Sequence, residues 1–302
     1  MRRPSLPRGY GQRRRRQLFG YIMVLPTFGL TFLFTIFPLM ETLFRSFYTG
    51  NLFSSSHVFA GLANYAALVQ SGGIASLGTT AVYTLGFVTL ATVLGLLSAL
   101  LLNLPLPGGQ AVRTLFIIPL VVPVVATAIV WVTLFNPYFG AVDALLRFFG
   151  LPSVNWLTDP RFALPTVIMF STWQYLGQNV ILFLAGLKAI SREVLEQASV
   201  DGAFGAARFF RVTLPLIMPT VAVIVVIATI NALQTFTQIY VITRGGPVGS
   251  TTTAAFYVYQ QAFQFYNTGT ADAMASIIFA ITLVITVLET RMLRRVGAEG
   301  HA

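Results

Sequence analysis

Ala222-Val223-Ile224-Val225-Val226-Ile227-Ala228 carries an apolar side chain in every direction, whichever backbone it adopts. A membrane barrel strand alternates lipid-facing and lumen-facing residues, and this run has no such alternation. It lies within 212–243, a stretch free of Asp, Glu, Lys and Arg. Roughly 20 apolar residues cross the hydrocarbon layer as a helix. In lipid an unpaired backbone N–H or C=O is expensive, so a stretch of this kind must pair its own backbone and be helical.

Outward from this run, the segments 17–40, 46–112, 114–142, 162–187, 245–271 and 273–288 are also free of charge. Of 302 residues, 56% are hydrophobic and 9% charged, against about 25% charged in an ordinary soluble domain. The composition excludes a water-soluble globule and predicts an all-α integral membrane protein. Six spans are expected, near 18–40, 79–103, 114–136, 163–186, 216–241 and 270–292. They form one membrane domain over 18–292, with a basic segment 1–17 before it, a tail 293–302 after it, and a hydrophilic loop 187–215 between spans four and five.

With the N-terminus cytoplasmic, all but Arg45, Arg147, Arg161 and Arg244 of the 19 basic residues fall on the inner side, and the net charge of +10 resides there. Lys and Arg mark cytoplasmic loops, so both termini are expected in the cytoplasm. Basic tracts beside apolar spans are topology signals or anionic-lipid contacts, which leaves no reason to expect nucleic acid as a partner. Arg13 to Arg16 precede an apolar run longer than the core of a signal peptide, without a small-residue cleavage site. That run is expected to be an uncleaved first span.

Cysteine is absent and histidine occurs only as His57 and His301, both expected to be solvated. Disulfides, thiolate metal sites and cysteine nucleophiles are therefore excluded. No catalytic residue, metal site or cofactor is expected. The only lysine, Lys188, does not follow a glycine-rich phosphate loop, so any ATP hydrolysis belongs on a separate subunit.

Polar residues enter the spans unevenly. Asn231, Gln234, Thr235 and Gln238 recur at i, i+3, i+4 and i+7 and are expected on one face of the fifth span. In the fourth span Trp173, Gln174, Tyr175, Gln178 and Asn179 crowd about a turn and a half. Such amides either hold helices together or line a solvated cavity for a hydroxyl-rich ligand, with aromatic faces stacking on its apolar side. The span interiors lack Arg and Lys, which favours a neutral solute over an anion. They also lack central Asp and Glu, which argues against a proton or sodium relay.

In the loop, Leu187-Lys188-Ala189-Ile190-Ser191-Arg192-Glu193 leads into Glu196-Gln197-Ala198-Ser199-Val200-Asp201-Gly202-Ala203, and Leu214-Pro215 follows. Ser191 is placed to cap a short helix and Gly202 to turn it. This segment resembles the EAA loop of permease subunits in binding-protein-dependent ABC importers, whose pattern is E-A-A, then D-G-A, then L-P. Glu196, Ala198, Asp201, Gly202, Ala203, Leu214 and Pro215 match, and Gln197 departs from the middle alanine. Gly245-Gly246-Pro247, Thr251-Thr252-Thr253 and the run from Tyr257 to Phe263 are similar to the first of the two permeases in maltose-type importers, a pattern that glycerol-phosphate permeases share.

That resemblance implies the type I importer permease fold, a second homologous permease subunit, two ATPase subunits and an extracytoplasmic solute-binding protein. It assigns ATPase coupling to Glu196, Ala198, Asp201 and Gly202, and binding-protein contact to Gly245, Gly246 and Pro247. It puts solute contacts on spans four and five, near Gln174, Gln178, Asn231 and Thr235. The expected function is import of a neutral sugar or oligosaccharide through the cell's inner membrane. Uptake of glycerol phosphate or a polyol-type solute is the alternative within the family, and an ion-coupled secondary transporter the alternative outside it.

Overall fold

Residues 9–50, 58–104 and 107–299 are described by the computed structural model; His57 and His301 lie outside them. A membrane-length helix, α1 (Phe19–Arg45), runs through one π turn at Phe32–Ile36. A small hairpin of β1 (Tyr48–Thr49) and β2 (Val58–Phe59) follows, with Tyr48 opposite Phe59. Then come α2 (Ala63–Gln70), the long α3 (Gly73–Leu102), and the pair α4 (Gly109–Val121) and α5 (Val124–Leu134). A short α6 (Ala141–Phe148) leads to the long α7 (Pro160–Ala189) and the small α8 (Arg192–Val200). The chain closes with α9 (Gly205–Leu233), α10 (Thr237–Ile242), α11 (Ala254–Tyr259) and α12 (Thr268–Glu299). Among the described residues five helices are long and apolar enough to cross a membrane, and the bent pair α4 and α5 taken together has the length and apolarity of a sixth.

Two expected spans differ from the structure. The third, 114–136, is not one rod: α4 and α5 meet at 100°. Pro123 has no N–H to continue the ladder, and it holds Val122 in an extended conformation (φ −77°, ψ 136°). The fifth, 216–241, ends as a helix at Leu233. Gln234 (φ −97°, ψ 10°) and Phe236 (φ −131°, ψ −56°) turn the chain before α10 restarts it. Asn231, Gln234, Thr235 and Gln238 therefore do not share one helix face.

The core forms where α3 and α7 lie along each other, with α9 against both. On α3 the buried residues are Gly73, Ser76, Thr80, Tyr83, Phe87, Ala91, Gly95, Ala99 and Leu102, a stripe at steps of three and four. The other faces of α3, among them Val82, Leu85, Val93 and Leu97, are exposed and equally apolar, as suits lipid. Gly177 permits the close seating of α4 on α7, because a Cβ there would overlap the carbonyl of Phe116. At the start of α7, Asp159 accepts from the Arg161 backbone N–H at 2.9 Å. That bond and the Arg161 guanidinium hold its carboxyl below the usual carboxylate range.

Candidate functional site

Both helix breaks free backbone carbonyls where no water would pair them, and each is stitched by a side chain from another element. At the α4–α5 break, Gln174 of α7 donates through Nε2 to the carbonyls of Pro119 and Val122, the latter at 3.3 Å. Its Oε1 accepts from the Thr127 hydroxyl at 2.7 Å. At the break after α9, the carbonyl of Thr235 accepts from the Thr253 hydroxyl at 3.0 Å, and both residues are buried.

The second break also anchors a polar chain across three helices. The Tyr83 phenol donates to Ser171 Oγ at 2.7 Å and has the Thr235 hydroxyl 3.3 Å away. Thr235 Oγ1 lies 3.2 Å from Gln238 Oε1, and the Tyr175 phenol faces the Gln238 amide. Ser171 on α7, Tyr83 on α3 and Thr235 at the break are thus held in one network. Asn179 of α7 donates to the carbonyl of Ala91 on α3 at 3.2 Å.

The eight residues picked from the spans therefore fall into two groups. Gln174, Asn179, Thr235 and Gln238 are buried, and their polar atoms are engaged within the chain. Gln178 and Asn231 are half-buried and Gln234 is exposed; no hydrogen bond engages their side chains among the described residues. Tyr175 is half-buried between the two groups, its ring edge against Phe87 at 5.8 Å. Tyr83, Ser171 and Thr127 had no signal in the sequence, because isolated hydroxyls in apolar runs are common and only the tertiary contacts distinguish these three. Thr253 stood out only as part of the Thr251-Thr252-Thr253 run.

The loop after α10 is knitted by its threonines. Thr251 Oγ1 donates to the Gly246 carbonyl at 2.7 Å and lies 2.8 Å from Thr243 Oγ1, while Thr252 donates to the Gly245 carbonyl at 3.1 Å. Gly245 is buried with φ +81°, and a Cβ there would meet Phe256 at 2.6 Å, so only glycine fits. Gly246 and Pro247 are half-buried, and the tip of the loop is Val248, 98% exposed.

Helix α8 is built by its sequence motif. Ser191 accepts from the Val194 N–H at 3.4 Å as N-cap. At the other end, the Ala203 N–H reaches the Ala198 carbonyl at 2.8 Å and the Gly202 N–H the Ser199 carbonyl at 3.2 Å. With Gly202 at φ +78°, this is a Schellman closure. Ala198 is buried, whereas Glu196, Asp201 and Gly202 are exposed. Glu193, Glu196, Gln197, Val200 and Asp201 line an open cleft of about 500 Å³ on the outer face of α8. Arg192 pairs with Glu196 at 2.9 Å, and Val200 and Phe204 are exposed hydrophobics beside them.

The model of the binding-protein-dependent transport system inner membrane component family matches residues 91–297. The chain belongs to that family. This permease is 34% identical over 278 residues to the trehalose/maltose transport system permease protein MalF of Thermococcus litoralis, covering 91% of this chain and 93% of that one. It is 31% identical over 283 residues to the sn-glycerol-3-phosphate transport system permease protein UgpA of Agrobacterium fabrum, covering 92% and 96%. Its fold is similar to a chain of the bacterial alginate ABC transporter, solved in complex with an alginate pentasaccharide-bound periplasmic protein. That match has a TM-score of 0.82 and 27% identity over 96% of this chain and 98% of that chain. The permease is a transport subunit of the inner membrane and not an enzyme, and the ion-coupled alternative is set aside.

Proposed function

We propose that this permease forms one half of the membrane channel of an ATP-driven importer, and that it passes a neutral sugar or oligosaccharide handed over by a solute-binding protein. The observation that carries the choice of solute is the set of uncommitted amides. Gln178, Asn231 and Gln234 offer both donors and acceptors, and no Lys or Arg lies in 212–243 or 162–187 to meet a phosphate. These amides lie on the surface of the subunit, so a solute held there needs a second wall. A homologous second permease would supply it. Gln174, Thr235, Gln238 and Tyr175 then act mainly by fixing the two breaks behind the solute, and Asn179 by tying α7 to α3.

Helix α8, in the cytoplasmic loop 187–215, is the lever. Its exposed acids Glu196 and Asp201, with Val200 and Phe204, would seat in one of two ATPase subunits, while Ala198 and Gly202 keep the helix closed. Moving a two-state equilibrium from mostly inward-facing to mostly outward-facing takes about 5.5 kcal/mol of differential binding, which nucleotide-driven closure of the ATPases would deliver through α8. The threonine-knitted loop at Gly245, Gly246 and Pro247 presents Val248 to the solute-binding protein on the opposite side, with both termini of the permease in the cytoplasm.

The test is reconstitution of the whole transporter in proteoliposomes, with uptake of maltose, trehalose, cellobiose, raffinose and maltotetraose compared with glycerol 3-phosphate. ATP-dependent uptake of at least one saccharide is expected. Uptake of glycerol 3-phosphate alone, or uptake without ATP, would overturn the proposal.

A further inference from the structure

Beyond the amides, a ladder of aromatic rings leads away from the break after α9. Phe236 follows Gln234 and Thr235 directly, and its ring lies 5.5 Å from Tyr240 and 5.2 Å from Tyr259. Tyr240 and Tyr259 are 5.3 Å apart, and Tyr259 is 5.5 Å from Phe263. Phe256, only 1% exposed, backs the ladder at 6.0 Å from Tyr259. It is also the ring against which Gly245 packs, so the ladder and the Gly245–Pro247 loop share one support. Phe236 and Tyr259 are half-buried with one side on the core, while Tyr240 is 41% and Phe263 60% exposed, so the ladder runs from the core to the surface.

We propose that Phe236, Tyr240, Tyr259 and Phe263 form a stacking track on which the pyranose rings of an oligosaccharide pass from the loop at Pro247 to the amides at the α9 break. The inference rests on the saccharide reading above. The negative face of an aromatic ring attracts the C–H groups on the apolar face of a pyranose. Rings in a continuous series let successive sugar units stay engaged as the chain advances. Glutamines punctuate the track at Gln260 and Gln264, within a π turn (Gln260–Gln264) that aims Phe263 off the helical register. Their amides suit the hydroxyl rim of a sugar and would be wasted on lipid, where aromatic residues stand as an interfacial belt. Between Arg211 and Asp272 the only charge is Arg244, which keeps the track neutral.

The whole transporter in proteoliposomes, given the same five saccharides, tests this with Tyr259→Leu, Tyr259→Phe and Phe263→Leu. Each lost ring should raise KM about three- to tenfold, more for maltotetraose than for maltose, with basal ATP hydrolysis unchanged. Tyr259→Phe should keep the wild-type KM, since the ring and not the hydroxyl stacks. Phe263→Leu guards against a folding defect, because that ring is at the exposed end. An unchanged KM in both leucine variants, while the wild type imports a saccharide, overturns the track and leaves the function intact. Loss of the co-purified second permease in those variants also overturns it, as the rings would then be a subunit contact. If the wild type imports none of the five, the saccharide reading falls and the track with it.

Discussion

The Thr127 hydroxyl donates to Gln174 Oε1 at 2.7 Å, with both side chains buried. Because the same amide caps the carbonyls of Pro119 and Val122, this pair joins the two halves of a broken span to α7. A membrane helix tolerates a break only where its freed carbonyls find partners, and here one residue serves two of them.

Gln174→Leu should accordingly behave as a stability variant. It leaves two carbonyls without a partner, at about 1–3 kcal/mol for each buried group left unpaired, while the Thr127 hydroxyl keeps the Val124 carbonyl at 3.0 Å. The expected outcome is a lower melting temperature of the detergent-solubilised complex and a lower folded yield, with uptake falling in proportion. A fall in uptake with normal melting would mean that Gln174 meets the solute directly.

Asn231→Leu should do the reverse. Its side chain is half-buried and has no hydrogen bond among the described residues, so the chain loses nothing on folding. Assembly and melting should stay as in the wild type while saccharide uptake drops at least tenfold, the scale of about 1.4 kcal/mol for one lost hydrogen-bonding group. Normal uptake in this variant would remove Asn231 from the solute path.

Thr253→Val removes the donor to the Thr235 carbonyl at the second break. Burial of both partners predicts a cost of about 1–3 kcal/mol, read as a lower melting temperature, whereas Thr253→Ser should restore it. Equal melting of the valine and serine variants would show that the bond is dispensable.

At α8, Glu196→Arg reverses an exposed charge without touching the core and should abolish co-purification of the ATPase. Gly202→Val forces a branched side chain into φ +78°, at about 1–2 kcal/mol, and opens the Ala203–Ala198 closure. Saccharide-stimulated ATP hydrolysis should decline in that variant while saccharide binding to the solute-binding protein is untouched. Full coupling in Gly202→Val would show that the closure of α8 is not needed for docking.

How much was legible in the chain differs from one element to the next. The helical nature of 212–243 and the other charge-free stretches followed from the cost of bare backbone in lipid, whatever the packing. The cap at Ser191 and the turn at Gly202 were equally local, and the structure has both. The bend at Val122 and Pro123 had a signal in the two prolines, Pro119 and Pro123, within one expected span. The break at Gln234 to Phe236 had none, since it contains neither proline nor glycine. It exists because Thr253 and Tyr83, distant in sequence, meet Thr235 there.

By itself, then, the sequence determined that this protein is a helical membrane protein with a short acidic helix on its loop, because hydropathy, charge placement and helix caps act within a few residues. Its likeness to importer permeases rested on the motif from Glu196 to Pro215. Only the tertiary structure decided which amides are spent on the protein and which, among the described residues, have no partner within the chain. The spans are apolar on every face, so their buried sides are chosen by close approach at positions such as Gly177 and by hydrogen bonds such as Gln174 to Thr127, and neither leaves a periodic trace in the chain.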